Sequence, residues 1–390
     1  MPIPRYGPHT NMQRHHFGYL YVLFPIITLV VLFFIVMIQV LRPSYIVSKT
    51  PMAPYPQSPV IEEITFDMST YKELAPGSDN WSITWSDNDH QYTTWGDGGG
   101  FGGTNKDGRV SLGVGRVEGL KNNYKGINVW GGLGSENPAQ FSGKSYGIIS
   151  IKGILYMWRN GTGSDGSAFD FNQLFVSNDH GANWKFANVE FKRENFLVSK
   201  GFFCPTFLQF GKDYNGARDH YIYIYAPENK DDLWEVQKPG EITLIRVPAQ
   251  QMTDQSKFEF FGGIDVSGNP VWTQEIVDRK PVFKDANNGV MRTSVSYNRG
   301  LSRYILVTQQ ISRFRSNGGR IGIYDAPEPW GPWTTVLFAD PWVIGLQTGE
   351  KTVFWNFSNK WLGENGEDFV LVYTGKGSDS WGTVEGRFEK

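Results

Sequence analysis

DNWSITWSDNDHQYTTWGDGGGFGG, residues 79–103, alternates strand-forming and turn-forming residues. Trp81–Ser86 and Gln91–Gly96 are rich in aromatic and β-branched side chains, and the polar segment Asp87–His90 between them predicts a hairpin turn. With the turn centred on Asn88 and Asp89, Asp79 returns opposite the neighbourhood of Asp97. Neighbouring strands lie about 5 Å apart, so two carboxyl groups fall on one end of a single strand pair. Trp81, Trp95 and a run of glycines flank them.

The same pattern recurs along the chain. Inner strands are expected at Trp81–Ser86, Gly147–Ile151, Thr206–Phe210, Thr293–Tyr297 and Thr352–Phe357. Second strands are expected at Gln91–Gly96, Ile154–Arg159, Tyr221–Tyr225, Arg303–Thr308 and Phe369–Tyr373. Each pair is followed by a more polar outer pair. The fold class read from this repeat is all-β, a five-bladed β-propeller over residues 61–390. Glu62–Asp67 is expected to supply an outer strand to the last blade and so close the ring.

Composition agrees with many short strands. The 390 residues include 45 Gly, 27 Phe, 18 Tyr and 14 Trp, a turn-rich and aromatic mixture. A net charge of −2 and the lack of a sustained basic stripe argue against nucleic acid as a partner. Arg313, Arg315 and Arg320, the densest basic cluster, fall in a Ser/Asn/Gly stretch that reads as a solvated loop tip. Cys204 is the single cysteine, which rules out an intrachain disulfide and suits a small buried filler.

Phe17 to Leu41 carries no charged residue and is long enough to cross a bilayer. It exceeds the usual length of a signal-peptide core, and no small-residue cleavage site follows it. The expected organisation is a short cytoplasmic tail at 1–16 and one transmembrane signal-anchor helix at 17–41. A Pro-rich linker at 42–60 then holds the propeller domain on the extracellular or lumenal side.

Several motifs match without their structural context. Gly143–Gly147 fits G-x-S-x-G, but a strand rather than a helix is expected after Ser145. Gly98, Gly100 and Gly103 fit G-x-G-x-x-G outside any βαβ unit. His90, His180 and His220 lie in scattered turns, which argues against a zinc site; calcium on loop oxygens is left open, though no EF-hand pattern is present, and no cofactor is expected. Among the sequons at Asn80, Asn160 and Asn356, only Asn160 sits in a loop-like stretch suited to a glycan. Ser177–Trp184, SNDHGANW, has the S-x-D-x-G-x-x-W spacing of the Asp box, a structural hairpin turn of sialidase-like propellers.

Paired carboxyls are what glycoside hydrolysis needs: one protonates the leaving oxygen, the other activates water or attacks the anomeric carbon. Asp79 and Asp97 are the candidate catalytic pair. Trp81 and Trp95 are candidate sugar platforms, with Gly98 and its neighbours admitting substrate to the backbone. The starts of the other inner strands add Lys144, Tyr146, Arg292, Trp355 and Asn356 as candidate substrate-binding residues, and Lys351 beside them.

DNWSITWSDNDHQYTTWGDGGGF (79–101) resembles the opening signature of a propeller family, formerly a domain of unknown function, associated with endo-D-arabinanases. GIISIKGILYMW (147–158), the Asp box, PTFLQFGKDYNGARDHYIYIYAPE (205–228) and SYNRGLSRYILV (296–307) resemble it too, so the likeness covers roughly Ser78 to Tyr373. It implies a five-bladed propeller acting on furanosidic, arabinan-type polysaccharides or oligosaccharides, with Asp79 and Asp97 as the acid/base pair. The initial expectation is inversion, with Asp97 as acid and Asp79 as base. The alternative is a carbohydrate-binding propeller without turnover.

Overall fold

Alternating β-branched and aromatic residues between Gly, Asn and Asp turns fold into antiparallel strands throughout the globular chain. The computed structural model describes residues 52–161, 170–196, 199–231, 233–312, 315–339, 352–375 and 379–390. Among them the only helical pieces are 3-10 turns of three or four residues. No helix among the described residues is long and apolar enough to cross a membrane. The expected anchor at 17–41 and Lys351 lie outside the described residues.

Strand β1 (Glu63–Leu74) precedes four strands that form the first consecutive sheet: β2 (Asp79–Trp85), β3 (Gln91–Gly96), β4 (Leu112–Glu118) and β5 (Lys125–Trp130). The next sheet is β6 (Ile148–Ile151), β7 (Ile154–Asn160), β8 (Phe171–Ser177) and β9 (Lys185–Lys192). A third group begins β10 (Thr206–Gln209), β11 (Tyr221–Pro227), β12 (Glu241–Pro248), β13 (Glu259–Ile264) and β14 (Pro270–Thr273), with β15 (Pro281–Lys284) also on β12. It is joined by a short parallel pairing of β10 with β16 (Thr293–Asn298) to β17 (Arg303–Ser312), β18 (Arg315–Ala326) and β19 (Thr334–Ala339). The last sheet runs β20 (Thr352–Phe357), β21 (Asp368–Gly375), β22 (Trp381–Glu389) and then β1, which pairs antiparallel with β22 from Glu63↔Glu389 to Leu74↔Trp381.

The first strands of these groups adjoin one another in a closed circuit, β2 to β6 to β10 to β16 to β20 and back to β2. The arrangement is propeller-like. The N-terminal strand fastens the last sheet, so the first and last parts of the domain hold each other.

Apolar side chains on facing sheets fill the spaces between them. Trp81, Trp95, Phe101 and Trp381 interlock where the first sheet meets the last, with ring centroids 5.3–5.6 Å apart. At the outer turn of the second sheet, Asp179 accepts from Ser177 Oγ and from the backbone and side chain of Asn183, while Trp184 Nε1 donates to Gly181 O at 3.0 Å. Burial pushes the Asp179 carboxyl up, but the bonds from Asn183 and Ser177 outweigh it and hold the group below the usual carboxylate range.

Two expectations are corrected. Asn160 is no exposed glycan acceptor: it ends β7 fully buried and donates to Asn172 Oδ1. The stretch from Arg315 is strand, paired with β17, and Arg320 is buried with Nη1 donating to Asn288 Oδ1 at 2.6 Å. Alternating inward-facing apolar residues further along β18, Ile321 and Ile323, explain why this polar run continues a strand instead of making a loop. Arg313 lies outside the described residues.

Candidate active site

The hairpin forms with Asp79 opposite Gly96, so Asp97 follows directly beside Asp79 at the β2–β3 sheet end. Space beside the backbone of Gly96 is tight there. A Cβ would lie 3.1 Å from both Asp79 Oδ1 and Lys144 Cδ. Asp79, Lys144 and Asp97 therefore converge on one point of the backbone.

Asp79 is only 8% exposed, and its Oδ1 accepts from Asn80 Nδ2 at 2.7 Å. Asp97 is more open, its side chain 40% exposed, and its Oδ1 receives both Lys144 Nζ at 2.5 Å and Arg109 Nη2 at 3.2 Å. Both ion pairs thus fall on the same carboxylate oxygen. Lys144 is itself held by reciprocal backbone bonds with Asn160 at the end of β7.

Tyr146 packs against Phe354 and Trp234 within the cluster that also contains Cys204 and Met291. Burial drives its hydroxyl well above the ordinary tyrosine range; Cys204, Asp79 and Asp97 push the same way and Arg292 opposes them. Those charges thus share one neighbourhood around Tyr146. The Cys204 thiol is likewise raised well above its usual value by burial, which keeps it protonated and inert.

Arg292, immediately before β16, is 4% exposed. Its guanidinium lies 4.6 Å from the Trp234 ring centroid and 5.9 Å from that of Tyr146, while Nη1 donates to Gln309 Oε1 at 2.9 Å. Nε has no hydrogen-bond partner, and neither has the buried Oδ1 of Asn80. Asn80, Asp97, Cys204 and Phe354 all have positive φ, between 48° and 61°. Backbone strain of this kind persists where surrounding structure enforces it, and here it surrounds Tyr146.

Lys144, Tyr146 and Arg292 thus join the two aspartates. Five other expected contacts do not present themselves to a ligand. Trp81 and Trp95 are fully buried between sheets, and Trp81 Nε1 donates to Ser78 O and Ser380 O. Trp355 is buried in the core beside Ile305 and Phe357. Asn356 ties β20 to β2 by donating to Trp81 O at 2.9 Å. Gly98 serves the protein's own packing: with φ 75°, a Cβ there would sit 2.2 Å from Gly77 O. A flat aromatic next to a catalytic candidate in sequence alternates faces along a strand, and these faces point between sheets.

Gly98→Ala is accordingly expected to destabilise the fold, by about 1–2 kcal/mol from the left-handed backbone alone, with the clash adding to that. Urea unfolding checks it; an unchanged midpoint would place the glycine's role elsewhere.

Arg109 and Trp234 escaped the sequence reading. Arg109 reaches Asp97 because the Gly-rich loop folds back, with Val110 N bonding Gly98 O and Asp97 N bonding Ser111 O. The density of glycines was the available signal. Trp234 arrives from a loop after β11 with no local pattern to mark it. Among the described residues no group of His, Cys, Asp and Glu is placed to hold a metal ion.

Residues 147–340 match the model of a domain of unknown function, DUF4185. No curated protein matches the sequence. Similar solved structures include a GH43_12 protein retrieved from capybara gut metagenome, at 14% identity and TM-score 0.44, covering 83% of this chain and 55% of that one. A thermostable family-43 glycoside hydrolase is 14% identical, with TM-score 0.44 and coverage of 84% and 91%. The catalytic domain of a Coprinopsis cinerea GH62 α-L-arabinofuranosidase is 9% identical, with TM-score 0.46 and coverage of 80% and 91%.

Proposed function

We propose that the domain is a five-bladed propeller hydrolysing furanosidic, arabinan-type linkages with Asp79 and Asp97 as its acid/base pair. The observation that carries this reading is the placement of both carboxyl groups beside Gly96 at one end of the strand circuit, with Lys144 paired to Asp97. The closed succession of first strands supports the blade count. The Ser177–Trp184 turn, with its Asp179 bonds, supports the Asp-box reading. The apolar run 17–41 supports an N-terminal membrane anchor with the propeller outside or in a lumen.

The surroundings of the two acids favour the opposite roles to those first expected. Of two carboxyls, the more enclosed one is the better proton carrier, and the one facing cations and solvent is the better acceptor. Asp79, enclosed beside Asn80, is assigned as the acid. Asp97, receiving Lys144 and Arg109, is assigned to activate water or attack the anomeric carbon.

The test is digestion of a panel of D- and L-arabinans, other furanans and pyranose polymers with the full chain. New reducing ends from furanosidic polymers are the expected result. Glycan binding with no release across the panel would instead make the domain a carbohydrate-binding propeller.

A further inference from the structure

Two arginines elsewhere in this protein whose side chains are largely enclosed have carboxylate partners. Arg279 is clasped by Glu228 through two bonds of 2.8 Å, and Arg303 by Asp325 at 2.6 Å. Arg292 differs. Its partners among the described residues are the amide oxygen of Gln309, the sulfur of Met291 and two aromatic faces, with no carboxylate in an ion pair.

A guanidinium removed from water without a counter-charge is a standing electrostatic cost. Two other cations at this end, Lys144 and Arg109, are already spent on Asp97. Among the described residues Nε is enclosed and unpaired, whereas Nη2 has no partner and is not among the enclosed atoms. The Trp234 and Tyr146 rings orient the planar group, so Nη2 is held as its open donor. A neutral sugar hydroxyl would satisfy one N–H and leave the charge uncompensated. A carboxylate or phosphate oxygen satisfies both that donor and the charge.

We infer that the glycan bound at the Asp79–Asp97 end carries an anionic substituent, a carboxylate or a phosphate ester, which Arg292 grips next to Tyr146. The inference rests on the reading that a glycan enters at this end of the strand circuit. It adds the substrate's charge class and a specificity-determining residue.

Titration calorimetry with the full chain tests it, using D-glucuronate, D-glucose 6-phosphate and D-glucose as probes. At least one charged sugar is expected to bind about 10- to 100-fold more tightly than glucose, and which one does distinguishes carboxylate from phosphate. Arg292→Gln is expected to abolish that preference. Arg292→Lys, which keeps the charge and loses the planar, ring-oriented donor, is expected to retain a weakened one, and it decides the matter should the Gln variant fail to fold. Equal affinities for all three sugars, a preference that survives Arg292→Gln or is undiminished in Arg292→Lys, or binding of none would overturn the inference. Reducing-end release is measured separately. Charged-sugar preference without hydrolysis keeps the anion site and discards the hydrolase; hydrolysis of neutral furanans without the preference does the reverse.

Discussion

Asp79→Asn and Asp97→Asn are each expected to slow reducing-end release by about 10²- to 10⁴-fold, the usual contribution of a positioned acid or base. Both changes are nearly isosteric. An asparagine at 79 can still accept from Asn80 Nδ2. At 97 the amide oxygen can still receive Lys144 and Arg109, and because the pair is partly exposed its loss as an ion pair costs about 0–1 kcal/mol. Fold and activity should therefore separate, with wild-type unfolding curves and crippled turnover.

The two variants should also differ from each other. An acid that protonates the leaving oxygen matters little when that oxygen leaves readily as an anion. Asp79→Asn is thus expected to recover much of its rate on a 4-nitrophenyl furanoside relative to the polymer. Asp97→Asn should stay slow on both, because attack on the anomeric carbon is needed whatever leaves. The reverse pattern would restore the first assignment of roles. Wild-type rates in both variants would remove these residues from the chemistry altogether.

How far the residues announce this arrangement depends on the range of the interactions involved. The β2–β3 hairpin was legible because its turn and its alternation are local, and the strand pairing brings Asp79 opposite Gly96 as the spacing requires. The closing role of the segment near Glu62–Asp67 was legible too, since an unpaired strand before a sheet protein's first hairpin needs a partner, and β22 supplies it. The face each aromatic takes was not. Trp81 and Trp95 lie beside the acids in sequence, yet whether a strand face meets a channel or a neighbouring sheet depends on contacts with Trp381, hundreds of residues away. The same non-locality hid Arg109 and Trp234. The glycines near Arg109 mark a tight loop but not that it folds back onto Asp97, and nothing within a few residues of Trp234 says that it will lie over Arg292.

Trp95 gives that distinction a direct measurement. As a sugar platform, Trp95→Ala would weaken glycan binding and leave stability nearly untouched. The packing says otherwise. The indole is enclosed, and glycines at 100, 113 and 132 are absent of side chain because a Cβ at each would come within 2.5, 2.2 and 2.9 Å of its ring. Three positions have thus been emptied to admit one ring, and Trp81 and Phe101, tilted against each other, extend the same cluster. Small neighbours on three sides cannot collapse into the space the indole leaves, so the cavity should persist and the cost should sit near the upper part of the range for such changes, about 3–5 kcal/mol. Denaturant unfolding is expected to show that loss in full without any glycan present. A Trp95→Phe variant, which keeps part of the ring, should recover much of it. A stable Trp95→Ala protein with impaired sugar binding would return Trp95 to the ligand site and overturn the core assignment.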